Sequence, residues 1–349
     1  MTADRFAAEA AAVLRHYARS IGDAGAIARV PSGLINRTYA IGQPPRFALQ
    51  LMAPQFGDAE NERLAAVGRM LAAQGIGAPL LVRGDGGELS LPGPEGRRWR
   101  LLRWLDGEIH HSAPSAAHAH SAAGLLARFH DVLLAAGAGD WLPHGPFHDT
   151  DRYMRLLAAI GIHGDDEIRC TGRAILAAWQ DWRVRTPGPL PPARPGHGDL
   201  KFSNFLFRAG GAEAVAIIDF DTLARYRLDD EIGDALRSWC NVAAEDTARP
   251  TLDEEVFGAA VAGYLGASRS ASDGEVAWFV HGMGRIALEL AARFCADAQI
   301  GGYFAWDPAV APDARSHNLL RAAGQLHLAR QVAERQAELE AIVAASRGG

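Results

Sequence analysis

Two short apolar segments with acidic residues at their outer ends constrain the fold of this chain most. Residues 205–207 and 215–218 are apolar, and the segment 209–213 between them contains two adjacent glycines. This pattern predicts a β-hairpin with buried strands. Asp199 precedes the first strand and Asp219 follows the second. Because a hairpin brings its outer ends together, both acids are expected to emerge at the same end.

The residues around these acids have the types and the spacing that ATP-dependent phosphoryl transfer requires. This reaction depends mainly on positioning the nucleophile and on neutralising charge at the phosphate oxygens. Asp199 suits the position of a base beside an acceptor hydroxyl. Asn204 and Asp219 offer the hard oxygen ligands that Mg²⁺ prefers, and Lys201 could add a positive charge at the transferred group.

A purely structural interpretation of the same residues exists. A His-Gly-Asp sequence is common in loops, and Asp219 could simply belong to a turn at a strand end. Each half of the pattern is weak when it is taken alone. The catalytic interpretation is favoured because both halves occur in order and on the strands where the mechanism needs them.

These residues give the chain a family resemblance. It resembles the aminoglycoside phosphotransferase and choline kinase branch of the protein-kinase-like fold, where His-Gly-Asp replaces the His-Arg-Asp of protein kinases. A narrower similarity, to bacterial N-acetylhexosamine 1-kinases, extends from about residue 30 to residue 330. It is carried, in the same order, by residues 32–39, 46–50, 219–222, 232–237, 289–294 and 317–321.

The resemblance implies an α+β, bilobal protein-kinase-like fold. Residues 1–105 are expected to form an antiparallel-sheet N-lobe that binds the nucleotide. Residues 106–349 are expected to form a mostly helical C-lobe with the catalytic loop, the metal site and the acceptor-binding helices. In this scheme Asp199 is the catalytic base, and Asn204 and Asp219 hold Mg²⁺.

The resemblance also implies a nucleotide site in the N-lobe. The loop around Gly33 and Asn36 is expected to cover the phosphates, and backbone groups at Trp104 and Leu105 to face the adenine ring. One position departs from the wider kinase pattern, because Gln50 stands where a phosphate-binding Lys is expected.

An uncharged Gln lacks the Coulomb attraction of a Lys for phosphate, so another cation must contribute. Arg37 and Lys201 are the candidates. Glu62, on a helix predicted over residues 58–74, would then have no basic partner at Gln50 and is equally consistent with a solvated charge.

Acceptor recognition is assigned to the C-lobe. Asp221 could accept hydrogen bonds from sugar hydroxyls. Arg293 is either an acceptor or phosphate contact, or simply the partner of Glu289 four residues earlier on one helix face. Of the three aromatic residues within 303–306, at least two are expected in the core.

The acidic run 229–231 opens a predicted helix. Helix capping and compensation of the helix dipole explain it best. Asp234 resembles a family residue that supports the catalytic loop, and a structural function is predicted for it.

Composition is consistent with a cytoplasmic enzyme that binds neither nucleic acid nor membrane. The net charge of −6 disfavours a general nucleic-acid binder, which needs basic patches. Three widely spaced cysteines cannot form a disulfide framework or a zinc cluster. The first residues lack the basic start and long apolar centre of a secretory signal, and no apolar stretch approaches membrane-spanning length, so a cytoplasmic location is expected. Oligomeric state is not indicated.

The sequence therefore predicts an ATP- and Mg²⁺-dependent kinase that phosphorylates a hydroxyl of a small molecule. The favoured acceptor is an amino sugar or another hexose, phosphorylated at its anomeric oxygen. One alternative keeps the chemistry but takes an aminoglycoside, choline or homoserine as acceptor. The acidic run 229–231 keeps the aminoglycoside possible. A second alternative is a nucleotide-binding pseudokinase, suggested by Gln50 and a glycine-poor loop. A third is an interaction protein with a kinase-like fold.

Overall fold

The computed structural model describes residues 6–30, 36–145, 147–161, 164–241 and 245–347. The chain divides into two compact units. Unit 1 comprises Met1–Asp106 together with Ala216–Leu223, and unit 2 comprises Gly107–Val215 together with Ala224–Gly349. The expected lobe boundary lay between residues 105 and 106, and the expectation did not assign the short segment Ala216–Leu223 to the first unit.

Unit 1 is built on an antiparallel sheet. Its strands are β1 Ile27–Arg29, β2 Arg37–Ile41, β3 Phe47–Leu51, β4 Leu81–Val82, β5 Leu91–Pro92 and β6 Arg98–Arg103. Their order is β1-β2-β3-β6-β4, and β5 also pairs with β6. Phe47, Leu49 and Leu51 of β3 are buried and the residues between them less so, as the period of two in a strand requires. The β3–β6 register places Gln50 opposite Arg100.

The described residues of unit 1 also form three α-helices. They are α1 Ala7–Leu14, α2 Ala18–Ile21 and α3 Asp58–Ala73. The third confirms the helix predicted over residues 58–74. It is capped where the Gly57 N–H donates to Glu60 Oε2 at 2.8 Å. Its buried positions include Asn61, whereas Glu62 is exposed. Glu62 therefore has the solvated helix-face position that was one of its two interpretations.

Unit 2 is mostly helical. Its helices are α4 Ala116–Ala135, α5 Thr150–Gly161, α6 Asp166–Trp182, α7 Leu228–Trp239, α8 Glu254–Ala267, α9 Asp273–Val276, α10 Phe279–Ile300, α11 Ala314–Glu334 and α12 Gln336–Ala345. Its strands are β7 Glu108–Ile109, β8 Ala193–Gly196, β9 Phe205–Phe207 and β11 Ala224–Arg227, together with the first residues of β10 Ala214–Ile217. β9 and β10 are neighbours in a sheet of order β10-β9-β7, which confirms the predicted hairpin.

The antiparallel pair β8–β11 determines where the functional elements of unit 2 lie. Gly196 pairs with Ala224, and Ala193 pairs with Arg227. The chain enters His197 directly from β8, and α7 begins directly after β11. The pairing therefore brings the start of α7 beside the His197 loop. The last residues of the proline-rich stretch before His197 form β8.

Helices α7 and α10 cross at two glycines. A Cβ on Gly282 would lie 2.2 Å from the Asp229 carbonyl oxygen, and a Cβ on Gly233 would lie 2.5 Å from the Gly282 carbonyl carbon. Only glycine allows this close approach of backbones. The crossing brings the basic side chain of Arg285 to the acidic start of α7.

Within the described residues, no helix combines the length and apolar character needed to cross a membrane.

Candidate active site

A buried carboxylate holds the loop that carries Asp199. Glu231, in the first turn of α7, accepts hydrogen bonds from the backbone N–H of His197 at 2.6 Å and of Gly198 at 2.8 Å. His130 lies at 3.2 Å from the same carboxylate. Burial alone would raise the pKa of Glu231, but the hydrogen bonds from His130 and the loop backbone outweigh it and lower the pKa. Glu231 lies in the first turn of α7, where an acid compensates the helix dipole, but the interpretation as a helix-capping acid did not predict that its carboxylate holds this loop.

Steric contacts explain why the middle residue of the His-Gly-Asp sequence is glycine. Gly198 adopts a left-handed conformation with φ of +82°, and a Cβ there would lie 2.4 Å from Tyr226 Oη. Any side chain would collide with the tyrosine ring and carry backbone strain. Gly198 therefore lets the loop pack against β11.

A second acid of α7 fixes the residue after Asp199. Asp234 Oδ2 accepts a hydrogen bond from the Leu200 N–H at 2.8 Å, and its other oxygen binds Arg237. Trp239 Nε1 donates to the Leu200 carbonyl oxygen at 2.8 Å. Both backbone polar groups of the fully buried Leu200 are thus held by side chains of one helix. The predicted supporting function of Asp234 is confirmed.

Asp199, Lys201 and Asn204 contact one another. Lys201 Nζ lies 2.7 Å from Asp199 Oδ2. Asn204 Nδ2 donates to the Asp199 carbonyl oxygen at 2.8 Å and approaches Oδ2 at 3.3 Å. The Asp199 side chain remains 30% exposed, so an acceptor hydroxyl can reach it. With its nitrogen directed at Asp199, the Asn204 amide offers its oxygen as a ligand of the kind that Mg²⁺ takes.

Asp219 lies in unit 1 and occupies a strained turn. It has φ of +69° and ψ of +60°, a left-handed conformation that is uncommon for residues other than glycine. The short 3-10 turn Phe220–Thr222 follows it directly. Such a conformation persists only where neighbouring contacts enforce it.

Asp221 is buried inside unit 1. Its carboxylate is buried, accepts two N–H bonds from the guanidinium of Arg100 and receives a further one from Asn36 Nδ2 at 2.6 Å. Asn36 Oδ1 in turn accepts from the Ala53 N–H at 2.9 Å. The Asp221 carboxylate and the Asn36 amide thus contact groups of unit 1. That Asp221 binds sugar hydroxyls, and that the loop around Gly33 and Asn36 covers the phosphates, stay predictions.

Arg100 is the buried cation that sequence analysis missed. It lies beside Gln50, whose Oε1 accepts from Arg100 Nε at 2.9 Å and whose Nε2 donates to Thr38 Oγ1 at 3.2 Å. Of the cations considered instead, Arg37 lies over the ring of Phe6 and Lys201 pairs with Asp199. The sequence signal that could have identified Arg100 is a basic residue within the mostly apolar stretch 99–105. The structure then places this residue directly opposite Gln50 in the sheet.

The other predicted nucleotide contacts have different outcomes. Gly33 lies outside the described residues. The Trp104 N–H donates to the Arg46 carbonyl oxygen at 2.9 Å, so this group is already used inside unit 1. Leu105 follows it and is half-buried.

Arg293 of α10 lies among aromatic rings. Its guanidinium carbon is 5.1 Å from the ring centre of Tyr153 and 5.5 Å from that of Tyr303, whose Oη accepts a hydrogen bond from Nη2 at 3.1 Å. Tyr303 is 64% exposed and Trp306 is 44% exposed. The expectation that at least two of the three aromatics between residues 303 and 306 lie in the core is therefore wrong.

The acidic start of α7 is neutralised inside unit 2. Asp229 pairs with Arg227 and Arg285, both at 3.0 Å, and Asp230 also binds these two arginines. Asp230 Oδ2 accepts from the Arg227 N–H at 2.9 Å, so helix capping is correct for this residue. These carboxylates are buried and paired, which leaves them unsuited to form an acidic pocket for a cationic ligand.

His148 is a buried histidine beside this network, and its protonation should affect stability. Its Nδ1 lies 3.4 Å from Glu289 Oε1, a distance typical of an ion pair, and its side chain is 5% exposed. Burial lowers the pKa of His148, but the carboxylates of Glu289, Asp234 and Asp230 outweigh burial and raise it to about 9.

We therefore expect stability to decrease at alkaline pH. The His148 charge contributes fully below the unfolded-state pKa of about 6.5, and the contribution is lost as pH rises through about 9. The loss is on the order of 1.4 kcal/mol per unit of pKa difference. His148→Asn, which suits the φ of +65° at this position, should flatten the decrease in urea unfolding measured from pH 6 to 10. Exposed His144→Asn is the control, and parallel curves for all three proteins would contradict the expectation.

Comparisons with known proteins agree with this fold. The model of the phosphotransferase enzyme family (APH) matches residues 26–270. A putative aminoglycoside phosphotransferase from Ralstonia eutropha has a TM-score of 0.60 and 14% identity, over 95% of this chain and 99% of that one. A choline/ethanolamine kinase family protein from Mesorhizobium loti has a TM-score of 0.57 and 19% identity, over 98% and 99%. ADP-bound aminoglycoside phosphotransferase APH(2'')-Ib has a TM-score of 0.53 and 15% identity, over 90% and 99%.

The family model spans well over half of the chain, and the similar structures share its α+β architecture. The predicted protein-kinase-like fold and the resemblance to aminoglycoside phosphotransferases and choline kinases are confirmed. The chain belongs to the phosphotransferase enzyme family and is a phosphotransferase that acts on a hydroxyl group.

Proposed function

We propose that this enzyme transfers the γ-phosphoryl group of ATP, with Mg²⁺, to a hydroxyl of an uncharged small molecule, an N-acetylated amino sugar or another hexose at its anomeric oxygen. The observation that carries the proposal is the Asp199 loop. Its carboxylate is accessible and is oriented by Lys201 and Asn204. The loop backbone is fixed by Glu231 and Asp234. Such rigidity is what catalysis by positioning demands.

Each residue of the loop has a defined part in this proposal. Asp199 would accept a hydrogen bond from the acceptor hydroxyl and take its proton as the oxygen attacks phosphorus. Lys201, held at Asp199, would add positive charge next to the transferred group. Asn204 and Asp219 are proposed as Mg²⁺ ligands on the basis of their order in the sequence and the donor chemistry of each side chain. When bound, Mg²⁺ neutralises charge on the nucleotide phosphates.

An uncharged acceptor is favoured by the distribution of charge in unit 2. The carboxylates of Asp229 and Asp230, which kept a polycationic aminoglycoside possible, are buried and neutralised by arginines. Arg293, which we propose as an acceptor contact, would repel such a ligand. The exposed rings of Tyr303 and Trp306 offer flat apolar faces of the kind that stack on sugars.

The test is an assay of nucleoside-diphosphate release, ADP from ATP or GDP from GTP, across a panel of acceptors. The panel contains N-acetylhexosamines, plain hexoses, aminoglycosides, choline and homoserine, each with ATP or GTP and Mg²⁺, and the Asp199→Ala protein serves as the blank. We expect turnover with a hexose or N-acetylated amino sugar and ATP that is absent from the blank. Preference for an aminoglycoside, choline or homoserine would refute the proposed acceptor, and nucleotide binding without any turnover would favour the pseudokinase alternative.

A further inference from the structure

A buried polar cluster lies inside unit 1. We define the Asp221 cluster as Asn36, Gln50, Asn61, Arg100 and Asp221. The side chains of its ion pair are almost completely buried, at 1% exposure for Arg100 and 3% for Asp221. A charged pair is costly to bury and remains stable only if its hydrogen-bonding groups are satisfied.

The donors of Arg100 are directed at the cluster. Nη1 and Nη2 contact the two oxygens of Asp221 separately, Nη2 at 3.0 Å, in the parallel arrangement that fixes a carboxylate in one orientation. Nε donates to Gln50 Oε1 at 2.9 Å, and Nη1 also approaches Asn61 Oδ1 at 3.4 Å. Arg100 is therefore oriented by β3 and α3 and in turn orients Asp221.

The cluster also reaches the start of β2. Asn36 Nδ2 donates to Asp221 Oδ2 at 2.6 Å, while Asn36 Oδ1 accepts from the Ala53 N–H at 2.9 Å. Asn36 follows directly after the segment that contains Gly33. One carboxylate is thus held both from β6, through Arg100, and from the segment proposed to approach the phosphates.

Asp221 is two residues after Asp219 in the same short turn. The left-handed conformation of Asp219 is unfavourable for a residue with a side chain and must be enforced by its surroundings. A bidentate contact at Asp221 fixes the turn just beyond Asp219. The fixed turn limits the directions in which the Asp219 carboxylate can point.

We infer that Arg100 and Asp221 are positioning residues that hold Asp219 in the orientation needed to bind the nucleotide-associated metal ion. The inference rests on the proposed function, in which Asp219 is a Mg²⁺ ligand. Arg100 does not replace the missing phosphate-binding Lys directly, because its guanidinium is buried against Asp221 and Gln50. It acts through the turn that carries Asp219.

The test substitutes Arg100→Lys, which keeps the charge but not the two parallel hydrogen bonds. Calorimetry measures the affinity for ADP in EDTA and in Mg²⁺. The readout is the ratio of the affinity in Mg²⁺ to the affinity in EDTA. We expect the ratio to fall about tenfold or more in Arg100→Lys, as for other residues that orient metal ligands. The matched control is Arg98→Lys on the same strand, whose partner Asp58 is 53% exposed and whose ratio should not change.

The outcomes distinguish a failure of this inference from a failure of the proposed function on which it rests. A folded Arg100→Lys protein with an unchanged ratio, or with equal losses in EDTA and in Mg²⁺, would overturn the inference, since a merely structural residue gives that result. If Arg100→Lys fails to fold, Asn36→Ala, which removes one contact of Asp221, must lower the ratio in the same direction. Wild-type protein that binds ADP equally with and without Mg²⁺ would refute the proposed metal dependence itself.

Discussion

Replacing Asp199 with Asn should lower kcat by about three orders of magnitude, within the range attributed to general-base catalysis. The substitution preserves volume and keeps one oxygen for the hydrogen bond from Asn204, but it removes the group that can take the proton of the acceptor hydroxyl. It also removes the ion pair with Lys201, which lies 2.7 Å from the carboxylate. Folding should be nearly unaffected because the side chain is 30% exposed.

Three measurements test this expectation together. ADP release gives kcat, calorimetry gives the affinity for ADP, and thermal unfolding reports whether the fold is intact. We expect the first to fall and the other two to stay near wild-type values. Asp181→Asn, an exposed substitution on α6, is the control and should leave all three unchanged. An Asp199→Asn protein that retained normal turnover would remove the basis of the proposed mechanism.

Local sequence patterns predicted much of this structure. The hairpin β9–β10, the helix α3 and the function of Asp234 were predicted correctly, because each depends on residues close in sequence or on a pattern typical of the family. The helix α3, for example, follows from its capping residues and its apolar spacing. Such features require no knowledge of distant partners.

The missed contacts concern side chains whose partners are distant in sequence. Glu231 is an acid at a helix start, which locally indicates a cap, but its backbone partners are 33 and 34 residues earlier and reach it only through the β8–β11 pairing. Arg100 and Asp221 are 121 residues apart. Nothing in the segment around Asp221 indicates that a buried arginine would occupy its carboxylate.

The exposure of Tyr303 and Trp306 was missed for another reason. Aromatic residues are usually buried, and composition alone cannot separate a core cluster from an exposed one. In this structure Tyr303 receives a hydrogen bond from Arg293, whose charge disfavours burial of the cluster as a whole. The distinction depends on a contact between residues ten positions apart.

Glu231→Gln should have the second large effect, on stability and on catalysis together. Gln has about the same shape, but its amide nitrogen would face a backbone N–H of His197 or Gly198, so one buried donor loses its acceptor. His130 loses its anionic partner at the same time. We expect a loss of about 2–4 kcal/mol in the free energy of unfolding and a decrease of several degrees in Tm.

Glu231→Gln should also lower kcat, because Glu231 anchors the loop that carries Asp199. With its anchor weakened, the segment that carries Asp199 can shift, and a displacement of about 1 Å can reduce kcat by about a hundredfold. ADP affinity measured in EDTA should change much less, because the residues proposed to bind the nucleotide lie in unit 1. Glu213→Gln is the matched control, since Glu213 pairs with Arg208 at the surface and is 61% exposed.

The stability of Glu231→Gln at acidic pH provides a further test. The lowered pKa of Glu231 means that its carboxylate stabilises the fold above its unfolded-state pKa and that this contribution is lost as pH falls through the folded-state value. Glu231→Gln should therefore show a shallower loss of stability between neutral and acidic pH than the wild-type protein or Glu213→Gln. Unfolding curves that decline in parallel, or a Glu231→Gln protein with wild-type Tm and kcat, would show that the loop does not depend on this carboxylate.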